Sequence, residues 1–166
     1  MDYRVRLIVV AIVVVSTLLL GSAPVIGDTH FNLGVELSGH VIPYLGISQT
    51  TGNREAGINF GVALPHDLFG SNILDFGYQG AIYYRYAFVG TNFYPKIQLK
   101  TLVAPPSEGG GEFLLMVGGG LQYLNYIRGF RLGGGLEINV GLPVSALDRF
   151  ALPIPFLSLE SSYEFG

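Results

Sequence analysis

The chain of 166 residues carries 9 Lys and Arg against 12 Asp and Glu, a formal net charge of −3, and contains no cysteine. That balance gives no electrostatic case for nucleic acid, and the absence of thiols excludes a disulfide framework, a thiolate metal site and a cysteine nucleophile. Charged residues make up only 13% of the sequence, about half the usual ~25%, which is too few for an ordinary water-facing surface.

The first residues read MDYRVRLIVVAIVVVSTLLLGSAPVIGDTH. Arg4 and Arg6 precede an apolar run from Leu7 to Val15 that resumes through Leu18, Leu19 and Leu20, and small residues follow, which is the layout of a secretory signal. A cut after Gly27 suits the peptidase because Val25 and Gly27 are small, whereas a cut after Ala23 would leave Pro24 at the new terminus. Residues 1–27 are expected to be a cleaved signal peptide and 28–166 a single mature domain. An uncleaved anchor is the competing reading, and the run is short for a span of about 20 residues. Loss of Asp2, Arg4 and Arg6 takes the 9 basic and 12 acidic residues to seven and eleven, net −4.

Beyond the signal, apolar residues recur with period two, the mark of strands with two unlike faces. Phe31, Leu33, Val35 and Leu37 alternate with Asn32, Gly34 and Glu36; Val41, Leu45 and Ile47 alternate with Tyr44, Gly46 and Ser48. Residues 55–64 set Ala56, Ile58, Phe60, Val62 and Leu64 against Glu55, Gly57, Asn59, Gly61 and Ala63. The clearest strand, 74–88, sets Leu74, Phe76, Tyr78, Ile82, Tyr84, Tyr86 and Phe88 against Asp75, Gly77, Gln79, Ala81, Tyr83, Arg85 and Ala87. Phe93, Ile97, Leu99 and Val103 oppose Tyr94, Lys96, Gln98 and Lys100; segments 112–124 and 130–142 follow. The last strand sets Leu157, Leu159, Tyr163 and Phe165 against Ser158, Glu160, Ser162 and Glu164.

Turn-forming clusters separate these runs at 38–40, 49–54, 65–72, 89–92, 104–111, 125–129 and 143–153. The alternation continues unbroken through 31–48, so the strand count is seven or eight. A turn at Ser38, Gly39 and His40 keeps the alternation in step, with Leu37 facing Val41, and makes connections alternate short and long. An even strand number with short turns at one end and both termini there is the rule for outer-membrane barrels, so eight is preferred.

A closed barrel with one polar and one apolar face can be soluble with an apolar ligand inside, or membrane-embedded with the apolar face outward. The polar face here is mostly Gly, Ser, Asn, Gln and Ala with single charges, which suits a narrow interior better than an exterior. Tyr84, Tyr86, Phe88 and Phe93 flank 89–92, and Tyr123 and Phe130 flank 125–129, as an interfacial girdle would. On these features the whole chain resembles the small outer-membrane β-barrel proteins of bacteria. The resemblance implies an all-β, antiparallel up-and-down transmembrane barrel of eight strands, monomeric and resident in the bacterial outer membrane. Its partners would be outer-membrane lipid and the barrel insertion machinery, which reads an aromatic residue near the C-terminus. Leu159, Tyr163 and Phe165 are similar to that pattern, although Gly166 rather than an aromatic is terminal.

Two GGGL runs, at Gly118, Gly119, Gly120 and at Gly133, Gly134, Gly135, invite a phosphate-loop reading. Neither fits: the third glycine required by a dinucleotide fingerprint falls on Tyr123 or Ile138, and no GK[ST] exists. Taken instead as a hairpin turning around Tyr126 and Ile127, the two segments are expected to pair with residue numbers summing to 253. Glycine would then face glycine in a bare patch, with Leu121 opposite Leu132, Gln122 opposite Arg131 and Tyr123 opposite Phe130. Gly119 and Gly134 would face lipid and the other four the lumen.

Interior charges would be Glu36, Glu55, Asp75, Arg85, Lys96, Lys100, Glu112, Arg131, Glu137, Glu160 and Glu164. Buried charges must pair, so a polar network that plugs the lumen is the leading reading, with a narrow ion path or small-ligand site as the rival. His66, Asp67 and Ser71 share one loop and have the residue types of a lipid A-modifying hydrolase or acyltransferase, but a triad requires convergence that three loop residues do not establish. No histidine pair has metal-ligand spacing. The expected role is structural or interactive, with a closed lumen, no cofactor and no metal. A lipid A-modifying enzyme and a narrow channel or carrier for small or apolar compounds are the alternatives.

Overall fold

The computed structural model describes residues 27–38, 40–64, 77–103, 113–128, 130–143 and 153–165. They form eight strands: β1 Asp28–Leu37, β2 Val41–Thr51, β3 Arg54–Ala63, β4 Gly77–Tyr86, β5 Phe93–Val103, β6 Phe113–Ile127, β7 Phe130–Pro143 and β8 Pro153–Phe165. Each strand pairs antiparallel with the next, and β8 returns to pair with β1, so the sheet closes on itself. Closure leaves no strand edge unpaired. The expected signal, save its last residue Gly27, lies outside the described residues, as do His66, Asp67, Ser71, Asp75 and Glu112.

The β1–β2 ladder puts Leu37 opposite Val41, so residues 38–40 make the turn and the count is eight rather than seven. Connections at that end are otherwise long; those at the other end are two residues, six residues and two residues. Gly52 and Gly90 adopt positive φ in the first two of these short turns, and Arg128 does so, at φ 50°, in the third. The β1 start and the β8 end lie at the short-turn end as well.

The two faces of the barrel differ as the period-two pattern requires. Leu33, Leu45, Ile47, Phe60, Ile97, Leu136 and Leu159 point outward and are exposed, whereas Asn32, Glu36, Glu55, Arg85, Lys100 and Glu137 point inward and are buried. This is the inverse of a water-soluble globule, in which large apolar groups fill the interior.

The β6–β7 hairpin corrects the sequence-based register. The strands continue to Ile127 and from Phe130, the turn is 128–129, and partners sum to 257, not 253. Glycine does not face glycine: Gly118, Gly119 and Gly120 oppose Asn139, Ile138 and Glu137, while Gly133, Gly134 and Gly135 oppose Leu124, Tyr123 and Gln122. Leu121 pairs with Leu136, Gln122 with Gly135 and Arg131 with Tyr126. Tyr123 and Phe130 each find another aromatic partner: Phe93 against Tyr123 at 5.3 Å and Tyr163 against Phe130 at 5.0 Å between ring centroids.

The cause is volume. An eight-stranded barrel has room only for side chains, and a register with glycine opposite glycine would stack the large inward groups opposite one another elsewhere. The observed register places each inward glycine of the hairpin across from a large side chain. The same rule holds on the opposite wall, where Gly34 pairs with Tyr44, Gly46 with Asn59 and Gly57 with Tyr83. A methyl group added at Gly57 would lie 2.6 Å from the Tyr83 hydroxyl, and one at Gly34 would collide with the Tyr44 ring.

The lumen is layered. Next to the long connections, Ile42, Ala63, Met116 and Phe156 are buried together, with Leu102, Leu114 and Ile154 packed on them. From there to the short-turn end the interior is polar.

Candidate functional site

Among the described residues, four buried carboxylates and four buried cations share the polar part of the lumen: Glu36, Glu55, Glu137 and Glu160 with Arg85, Lys96, Lys100 and Arg131, none of them more than 4% exposed. Strand parity brings them inward, and the small residues beside them leave room for long side chains to reach across. They divide into two groups, each of two anions and two cations.

The first group lies nearer the short turns and centres on Glu55. Arg85 Nη2 donates to Glu55 Oε1 at 2.6 Å, and Arg131 donates to Glu55 through Nη1 and Nη2. Arg85 Nη1 also meets Glu160 Oε1 at 2.8 Å and donates to Gln122 Oε1 at 2.9 Å. Arg131 Nε donates to Ser162 Oγ at 2.7 Å, and the Tyr44 hydroxyl donates to Glu160 Oε2 at 3.2 Å. The second group centres on Glu137, paired with Lys96 at 2.7 Å and Lys100 at 3.1 Å and accepting from Gln98. Lys100 also pairs with Glu36 at 2.7 Å, and Gln79 donates to Glu36 at 2.8 Å.

Tyr83 joins the two groups. Its hydroxyl donates to Glu55 at 3.1 Å and accepts from Asn32 at 2.9 Å, while its ring lies 5.3 Å from the Arg85 guanidinium and 4.9 Å from Lys96 Nζ. From sequence Tyr83 is placed on the polar face of its strand and given no role; an aromatic residue on that parity is the signal that marks it. At the boundary with the apolar layer, Lys100 Nζ lies 4.3 Å above the Phe156 ring.

Such pairing answers the desolvation of each charge: every one of the eight has an opposite charge within 3.1 Å. Several amides keep an unpartnered buried atom among the described residues, including Asn32 Oδ1, Asn59 Oδ1, Gln79 Oε1 and Gln98 Oε1. Such atoms are the sites that buried water satisfies. His30, also 2% exposed, points into the short-turn end with Nδ1 unpartnered. The chemistry of the site is mutual neutralisation: the acids and bases are turned to one another. Of the predicted glycines, Gly118, Gly120, Gly133 and Gly135 share the inward parity of this network and Gly119 and Gly134 the outward one.

No protein-family model matches the chain, and no curated protein matches it in sequence. Among solved structures, it is similar to the N-terminal β-barrel domain of OprF from Pseudomonas aeruginosa, at 14% identity and a TM-score of 0.57, over 84% of this chain and 98% of that one. It is also similar to a major outer membrane protein from Thermus thermophilus, at 12% identity and a TM-score of 0.56, over 85% of this chain and all of that one. At these identities the likeness is one of fold: a closed, eight-stranded antiparallel barrel of the kind found in bacterial outer-membrane proteins.

Proposed function

We propose that the chain is a small outer-membrane protein whose eight strands cross the bilayer, with a structural or interaction role and a lumen closed by its own side chains. The observation that carries this reading is the inverted polarity of the barrel. A ring of Leu, Ile, Val and Phe faces outward, and eight mutually paired charges face inward. In water the outer ring would be an apolar patch far beyond the few hundred Å² that a soluble monomer tolerates. In a bilayer it meets hydrocarbon, and closure satisfies every ladder amide without water. Tyr86, Phe93, Tyr123, Phe130 and Tyr163, all exposed near the short turns, suit the interface with lipid headgroups.

The likeness in fold to the OprF barrel domain and to the Thermus protein supports the same placement. Export by a cleaved signal at residues 1–27 and recognition of the β8 end by insertion machinery belong to this proposal. The filled lumen favours a structural role over a channel, because Arg85 and Lys100 cross it with no exposure at all.

Membrane fractionation with gel mobility before and after boiling tests the reading. The protein is expected in the outer-membrane fraction as a compact, fast-migrating form that shifts on boiling. Recovery as a folded protein from aqueous extract without detergent would overturn it.

A further inference from the structure

The outward face of β7, β8 and β1 carries a groove of about 460 Å³, walled by Leu33, Val35, Leu132 and Leu159 and floored by Ser161, Gly34, Gly133 and Glu160. It arises from the ladder. In one outward row Ser161 lies between Leu132 and Leu33; in the next, Gly134 and Val35 flank Leu159. Small residues in an otherwise leucine-lined wall leave a trough, in the half of the barrel nearer the short turns. The row below it, Phe130, Tyr163 and Phe31, is aromatic, and beyond Phe130 the turn presents the exposed Arg128.

We infer that this groove binds one acyl chain of a glycerophospholipid from the leaflet at the short-turn end, with the lipid phosphate at Arg128. The inference rests on the membrane placement proposed above. Size argues for a single chain: the volume falls within the ~300–1,000 Å³ of small-ligand sites, and the eight lining residues are far fewer than the roughly 20–30 a side of a stable protein interface. Charge agrees, since a cation stands just past the aromatic row, at the depth where a phosphate would lie. Asp28 and Glu164 stand at the β1 and β8 ends of that rim on the inward parity of their strands, away from the groove.

The test uses the full chain, purified in mild detergent, incubated with phosphatidylglycerol and examined by native mass spectrometry, each variant being checked by the boiling gel shift. Wild type is expected to retain one phosphatidylglycerol per monomer. Ser161→Leu, which fills the trough from a lipid-facing position, is expected to weaken retention about tenfold, equivalent to roughly two buried methylenes. Ser161→Ala should retain lipid as wild type does, and Arg128→Ala should weaken phosphatidylglycerol. If Ser161→Leu loses its compact form, Val35→Phe narrows the same trough from β1 and replaces it. Equal retention by wild type and the filled variant would overturn the inference, as would a wild-type dimer that the filled variant converts to monomer. A wild type with no boil-sensitive compact form would instead sink the membrane placement itself.

Discussion

Glu55 holds two arginines that come from different walls, Arg85 on β4 and Arg131 on β7, and receives the Tyr83 hydroxyl as well. Replacing it with Gln keeps the shape and removes the only carboxylate that Arg131 pairs with among the described residues. Breaking a buried pair from one side leaves a bare charge, at a cost of about 3–5 kcal/mol. Glu55→Gln is therefore expected to lower unfolding free energy by about that amount, read from urea titration in lipid vesicles. Tyr83→Phe removes a neutral donor and the acceptor for Asn32 while keeping the ring under Arg85 and Lys96, so its expected cost is smaller, about 1–3 kcal/mol. A Glu55→Gln barrel as stable as wild type would show that the arginines find other anions. A third substitution probes room rather than charge: Gly57→Val would press on the Tyr83 hydroxyl and on Ser48 Cβ, 2.8 Å from the added carbon. Overpacking of this kind costs about 1–3 kcal/mol, and the same titration measures it.

At the level of the strand pair, the β6–β7 hairpin separates what a sequence shows from what it conceals. The face that each residue takes is a local property: parity along one strand decides it, so Glu36, Arg85 and Glu137 are readable as sharing a side. Register is a property of two strands together. Sums of 253 and 257 satisfy the same parity, and the glycine runs look like natural mates until the volume across the lumen is counted. Partners within the network are hidden for a similar reason, since Glu55 and Arg131 are 76 residues apart and meet only through closure of the ring. The apolar layer of Ile42, Met116 and Phe156 is illegible because near the long connections apolar residues occupy both faces, which erases the alternation. The register itself is open to direct measurement. Gly119→Cys with Ile138→Cys places two thiols on paired outward positions, and oxidation is expected to link them because directly opposed Cα atoms lie about 4.5–5.5 Å apart. Gly119→Cys with Gly134→Cys, four residues out of register, should stay unlinked. Efficient linking of the second pair and not the first would restore the glycine-to-glycine hairpin.

Taken as a whole, the sealed lumen proposed above would rest on two barriers of different physics. Among the described residues, four buried anions and four buried cations offset one another, and each is committed to a partner, so a permeating ion would have to displace one of them while losing its own water. The apolar layer at the long-connection end, with Ile42, Met116 and Phe156, adds a barrier whose described side chains offer an ion no ligand. The two barriers act in series, so removing one leaves the other. Wild-type protein in planar bilayers is expected to pass no steady current. Phe156→Ala combined with Met116→Ala should remain silent too, because Tyr83, Arg85 and Arg131 still fill the section below. Adding Glu55→Gln to that pair frees Arg131 and disturbs both blocks at once, and it is the triple variant in which brief openings should first appear. A steady wild-type current would show that the ion pairs exchange partners readily, and would move the reading from a sealed wall to a conduit.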